Sequence, residues 1–195
     1  ALLQAMQEHK VSYANETYEL EAPFCVFATQ NPIEAEGTYA LPEAQLDRFL
    51  FSIPVHYPNE RDEIKIVQKT TGIESHDLKP ILGSSELLKF QQLVRRVPIE
   101  EKVVEMIVKL VRGTRPGSEM SSDLAEVIRF GAGPRASQAL ALGAKARAML
   151  AGRFAVREED VFAVAPFVLE HRLVLRRLRD RTPEQIVNKI IEMQV

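Results

Sequence analysis

Three side chains in this sequence carry chemistry suited to a phosphate group: Asn31, Arg48 and Arg135. Asn31 comes two residues after the apolar run FCVFAT (24–29). At the C-terminal edge of a strand, a side-chain amide faces the crevice where α/β sheets bind ligands. It is both donor and acceptor, so it can orient a water against a phosphate oxygen. The Asn-Pro pair also opens turns, and the dipeptide alone leaves both roles open. Arg48 closes a short helical stretch, PEAQLDR, just before a second apolar run, FLFSIPV (49–55). A guanidinium there can stabilise charge on a phosphoryl group in transfer, or pair with Asp47 or Glu43 as an ordinary surface arginine. Arg135 lies in the first turn of a helix announced by Gly133 and Pro134. A cation there opposes the helix dipole at a cost of about 0.3–1 kcal/mol. An anion brought to the same place gains from the free N–H groups and the guanidinium together.

The other chemistry-bearing residues point elsewhere. Glu34 and Glu36 sit on a loop bounded by Pro32 and Gly37, with no apolar wall to shift their pKa values, and read as solvated. His9, His56, His76 and His171 lack metal-ligand spacing and no cysteine cluster accompanies them, so zinc is not expected. Cys25, the single cysteine, has no internal disulfide partner and reads as a small buried apolar residue. Arg172, Arg176, Arg177, Arg179 and Arg181 form a basic run, but Asp180 breaks it and Leu173, Leu175 and Leu178 interleave. The solvated face of a core helix accounts for it better than a nucleic-acid stripe. A net charge of −2 exerts no global pull on nucleic acid. The chain is 46% hydrophobic and 27% charged, as globular proteins are. No apolar run approaches the roughly 20 residues that span a bilayer, and no signal peptide is visible, so a cytoplasmic protein is expected.

The elements that must position these residues fall into two groups. ALLQAMQE predicts a helix over 1–8, VSYANETYEL (11–20) a hairpin, and FCVFAT and FLFSIPV two strands, with a helical turn at PEAQLDR. Asn59 predicts the cap of a helix to about Thr71, with Ile64 and Val67 facing inward. Gly72, Pro80 and Gly83 mark a linker. Beyond it the periodicity predicts helices only: from Ser84 or Ser85, from Pro98 with Val103, Ile107 and Val111 inward, from Ser121 or Ser122 through DLAEVIRF, from Gly133-Pro134 to about Leu150, and from Glu158, with Pro166 kinking that helix or lying at its start. Thr182-Pro183-Glu184-Gln185 is a capping box opening a last helix. The opening ALLQAMQEHK has mid-helix character without a cap, which leads to the expectation of a piece of a longer protein.

ALLQAMQE, VSYANETYEL and FCVFATQNPIEAEGTYALPEAQLDRF together resemble the second half of the AAA+ module of MoxR-type ATPases. GAGPRASQALALGAKARAMLAGRFAVREEDVFAVAPFVLEHR (131–172) is similar to their helical lid. The resemblance implies an α/β remnant of a P-loop core over 1–72 (partial parallel sheet plus β-hairpin), a linker over 73–83 and an all-α lid domain over 84–195. By the same resemblance Asn31 is sensor 1, Arg48 the arginine finger acting on a neighbouring subunit's nucleotide, and Arg135 the sensor 2 arginine, in cis or in trans. The family's Walker A loop and Walker B acidic pair match nothing in these residues. ATP and Mg2+ are therefore expected in the intact protein, with the metal ligands outside this chain and no hydrolysis by this chain alone. The two apolar strands would lack the neighbour that lies between them in the family's sheet, so the helical part should be the better packed. Implied partners are further copies of itself, in a hexameric ring, and von Willebrand A-domain proteins or client complexes. A non-enzymatic helical interaction or nucleic-acid-binding module, and a helicase- or chelatase-type AAA+ relative, are the alternatives.

Overall fold

The computed structural model describes residues 2–30, 41–72, 79–117, 124, 126–176 and 182–193. The N-terminal third begins with α1 (Leu2–Glu8) and a hairpin of β1 (Lys10–Tyr13) and β2 (Glu16–Glu19), in the register Lys10↔Glu19 to Tyr13↔Glu16. Ala14 and Asn15 both have positive φ, 49° and 67°. A two-residue loop of this hand matches the twist of the strands it joins. Next come one helical turn, α2 (Glu43–Leu46), and α3 (Glu60–Thr70), capped by Asn59 Oδ1 accepting from Asp62 N at 3.0 Å.

The core lies in the second half. α4 (Ser84–Arg96), α5 (Glu101–Gly113), α6 (Pro134–Leu150), α7 (Glu158–Leu169) and α8 (Pro183–Glu192) carry the regular structure there. Val103, Ile107, Leu110 and Val111 bury one stripe of α5, as expected for apolar positions at i, i+4 and i+7 or i+8. Ala136, Ala139, Ala144 and Ala148 bury the facing stripe of α6, and such small side chains let α7 approach closely. Leu140, Ile107, Leu169 and Ile186 fill the space between helices and are almost fully buried, each contributing about 1.5–3 kcal/mol. Thr182 caps α8 by accepting from Gln185 N at 3.3 Å, while Gln185 Oε1 accepts from Thr182 N at 3.0 Å. Pro166 lies inside α7, which runs into a 3₁₀ turn over Glu170–Arg172.

Several expectations are corrected here. The second half is not purely helical. Ile128–Phe130 forms β3, not the end of a helix, and pairs antiparallel with β4 (Val174–Leu175) across a bulge. Among the described residues no parallel strand forms from 24–29 or 49–55, because a strand exists only where a second backbone satisfies its polar groups. The 49–55 segment finds its partners on the lid side instead: Ser52 N donates to Phe167 O at 2.8 Å, and Phe51 packs on the core. Most of the 24–29 segment is exposed, Phe27 at 91% and Cys25 exposed, not buried, while Phe24 and Val26 are half-buried. Ile64 and Val67 are also exposed, since no element among the described residues covers that face of α3. The densely packed part is the helical one.

Candidate functional site

Arg135 is positioned by a loop bolted to the end of α5. Thr114 Oγ1 is buried, donates to Val111 O at 2.6 Å and accepts from Ala132 N at 2.9 Å. Arg115 Nε donates to Ala132 O at 3.0 Å. Gly131 makes this approach possible, because a Cβ there would fall 2.3 Å from Thr114 O. Gly133 then takes the N-cap position and Pro134 the first turn of α6, where a fixed φ and a missing N–H cost nothing. The loop therefore sets Arg135 at the start of α6 with its side chain half exposed.

Asp47 is the hub of the site. It ends α2, where its N–H donates to Glu43 O at 3.0 Å, and its carboxylate is shared. Oδ2 accepts from Arg135 Nη1 at 3.1 Å, and Oδ1 accepts from Arg172 Nε at 3.1 Å. Arg172 is not on a solvated face: its side chain is 3% exposed. A buried guanidinium is tolerable only when its donors are satisfied, and here they are. Nη2 donates to Asp47 O at 3.1 Å and Phe49 O at 2.6 Å, and Nη1 to Leu50 O at 3.4 Å and to Val168 O. Burial lowers the Arg172 pKa, opposed by the Asp47 carboxylate. Beside it, burial and then the adjacent guanidinium push His171 down to about 4. The imidazole is neutral near pH 7, and its Nε2 lies 2.8 Å from Arg172 Nη1 and 3.2 Å from Phe49 O; the tautomer sets whether it accepts from the first or donates to the second. The antiparallel pairing of β3 with β4, extended by Arg176 N donating to Val127 O at 2.8 Å, holds the loop before α6 alongside the chain leaving Arg172.

Arg48, between Asp47 and Phe49, has none of these acids. Its Nε donates to Ala44 O at 3.3 Å, a weak bond. Its Nη1 is buried without a hydrogen-bond partner among the described residues. The acid next to it in sequence is spent on Arg135 and Arg172. One region thus carries a half-exposed arginine on a helix N-terminus, a shared carboxylate and an arginine with a buried, unsatisfied nitrogen.

The fold description "AAA lid domain" matches residues 120–190, and "ATPase family associated with various cellular activities (AAA)" matches residues 1–51. A solved structure from Cytophaga hutchinsonii, described as a candidate ATPase, superposes with a TM-score of 0.91 at 35% identity, covering 98% of this chain and 59% of that one. Chaperone MoxR1 of Mycobacterium tuberculosis is 40% identical over 98% of this chain and 52% of its own length. Protein MoxR of Methylorubrum extorquens is 33% identical over 97% of this chain and 59% of its own. These matches support assignment of the chain to the MoxR-type AAA+ ATPases.

The chain spans about half the length of the curated MoxR relatives it matches. Its architecture is a partial AAA+ core followed by a helical lid. Of the three predicted MoxR-type site residues, Asn31 lies outside the described residues. Arg48 and Arg135 are brought to one region through Asp47, which bonds Arg135 and immediately precedes Arg48. Sequence reasoning missed Arg172, His171 and the role of Asp47. The available signal was the apolar setting of Arg172 in FVLEHRLVL, where a buried charge requires an acid from elsewhere. Among the described residues no group of three His, Cys, Asp or Glu side chains could hold a metal, so these residues do not fit a magnesium ion; the two arginines fit a polyphosphate. No helix among them is long and apolar enough to cross a membrane.

Proposed function

We propose that the full-length protein is an ATP hydrolase that assembles into a hexameric ring in the cytoplasm. It couples nucleotide turnover to chaperone-like remodelling or assembly of partner complexes, von Willebrand A-domain proteins among them. Residues 1–72 complete its α/β core, 73–83 link, and 84–195 form the lid. Arg48 reaches across to the neighbouring subunit's nucleotide and stabilises charge on the γ-phosphoryl group; Asn31 orients the attacking water; Arg135 couples nucleotide state to lid position. The phosphate loop and the ligands of Mg2+ come from outside this chain, which alone does not hydrolyse ATP.

The observation that supports this reading most is the unpartnered Nη1 of Arg48. A buried donor with no acceptor costs on the order of 1–3 kcal/mol, a cost recovered when a phosphate oxygen supplies the acceptor. Arg135, half exposed at the start of α6 and balanced by a shared carboxylate, is likewise placed to trade Asp47 for an anion. The nucleic-acid alternative loses its first residue, because Arg172 is buried. ATP turnover of full-length Arg48→Ala tests the proposal. A loss of about 10³-fold or more is expected, and wild-type turnover would remove the assignment of Arg48.

A further inference from the structure

We propose that Arg172 is a positioning residue for Arg48, clamping the turn that carries it onto the end of α7; this rests on the reading of Arg48 just given. Arg172 grips the backbone on both sides of that residue. Its Nη2 bridges Asp47 O at 3.1 Å and Phe49 O at 2.6 Å, and its Nε holds the Asp47 carboxylate at 3.1 Å. Arg48 is thus fixed at its Cα by its neighbours, while its own side chain is held only by the long contact to Ala44 O at 3.3 Å. The anchor point is fixed, while the guanidinium itself is tied by hydrogen bonding only at Nε and its buried Nη1 is unpartnered.

Stability alone does not call for an arginine here. Apolar residues filling a space of this kind are often as stabilising as a buried charge and its partners. What the guanidinium adds is geometry: a rigid planar fork spans two carbonyls and a carboxylate at once, which an ammonium on a flexible stem does not. The clamp also joins Arg48 to the lid. Arg172 follows directly on α7, and Ser52 N donates to Phe167 O at 2.8 Å just beyond. A lid movement therefore carries the Arg48 turn with it.

The experiment is a double-mutant cycle in the full-length protein, measuring ATP turnover and binding of a fluorescent ATP analogue for wild type, Arg48→Ala, Arg172→Met and the pair. Displacing a reacting group by about 1 Å costs roughly 10²-fold in rate. Arg172→Met is accordingly expected to lower kcat about 10- to 100-fold at unchanged KM and analogue affinity, the signature of an interaction felt only in the transition state. In the Arg48→Ala background the same substitution should lower kcat no further. Arg172→Lys, which keeps the charge and loses the fork, should fall between wild type and Arg172→Met. A merely structural role would depress turnover in both backgrounds alike. Losses that multiply across the pair, or wild-type kcat in Arg172→Met, overturn the clamp while leaving Arg48 in its role. Wild-type turnover in Arg48→Ala overturns both. Should Arg172→Met fail to assemble, Arg172→Lys carries the same cycle, and a further loss on top of Arg48→Ala again refutes the proposal.

Discussion

Gly131→Ala should cost far more than its single methyl group suggests. The new Cβ would lie 2.3 Å from Thr114 O, 2.6 Å from Thr114 C and 2.8 Å from Arg115 Cα, all backbone atoms. No rotamer change relieves such a clash, so the loop must withdraw from the end of α5 by about 1 Å to regain ordinary contact. That movement stretches the Thr114 Oγ1 bond to Ala132 N, now 2.9 Å, and the Arg115 Nε bond to Ala132 O, now 3.0 Å. Overpacking typically costs about 1–3 kcal/mol, and a buried donor left without its acceptor costs about 1–3 kcal/mol more. We expect about 3–4 kcal/mol in all, a fall in melting temperature of about 6–16 °C at the scale of this chain. Thermal unfolding followed by far-ultraviolet circular dichroism reads it directly. Gly133→Ala is the control two residues away, with φ −85° and, among the described residues beyond its chain neighbours, no heavy atom within 4 Å of its Cβ; it should cost no more than about 1 kcal/mol. Equal melting temperatures for the two variants would refute the argument that backbone approach, not glycine flexibility, makes Gly131 necessary.

Two further outcomes follow from buried charge. His171 falls from 6.5 to about 4 through burial and the Arg172 charge, so between these values the unfolded chain binds more protons than the folded one. Its contribution is fully present above pH 6.5 and is lost as pH falls toward 4, up to about 3 kcal/mol. Glu170, whose carboxyl is pushed up by burial, acts in the opposite direction, so the quantity to measure is the stability difference between wild type and His171→Gln from pH 7 to pH 4; a difference that stays flat would show that the imidazole is solvated. Asp160, 1% exposed, accepts from Arg153 Nη1 at 2.6 Å and from Arg157 N at 3.0 Å, and the Arg153 hydrogen bond holds its carboxyl below the usual range. Asp160→Asn keeps an acceptor for the backbone but strands the guanidinium, and should cost about 2–4 kcal/mol in urea unfolding; a cost under about 0.5 kcal/mol would mean that Arg153, 24% exposed, draws its stabilisation from water.

The helices were legible because each is specified within its own turn or two. Val103, Ile107 and Val111 repeat at the helical period, and Thr182 and Gln185 are three residues apart in the sequence and in the cap they form. The two apolar runs have the composition of strands, but composition cannot supply a ladder partner, so 49–55 bonds to α7 and its 3₁₀ turn while most of 24–29 stays exposed. DLAEVIRF fails for the converse reason: Ile128–Phe130 pairs with Val174–Leu175, and a tertiary partner overrides a short helical period. The site depends on distance in a third way. Asp47 and Arg48 are adjacent and of opposite charge, the pattern of a surface ion pair, and sequence offers no reason to separate them. The acid is instead taken by Arg135, 88 positions away, and Arg172, 125 positions away. With the Asp47 carboxylate turned to those partners, the Arg48 Nη1 has no acceptor among the described residues. An arginine freed in this way carries no local signature, because its availability is decided by where the neighbouring carboxylate is spent.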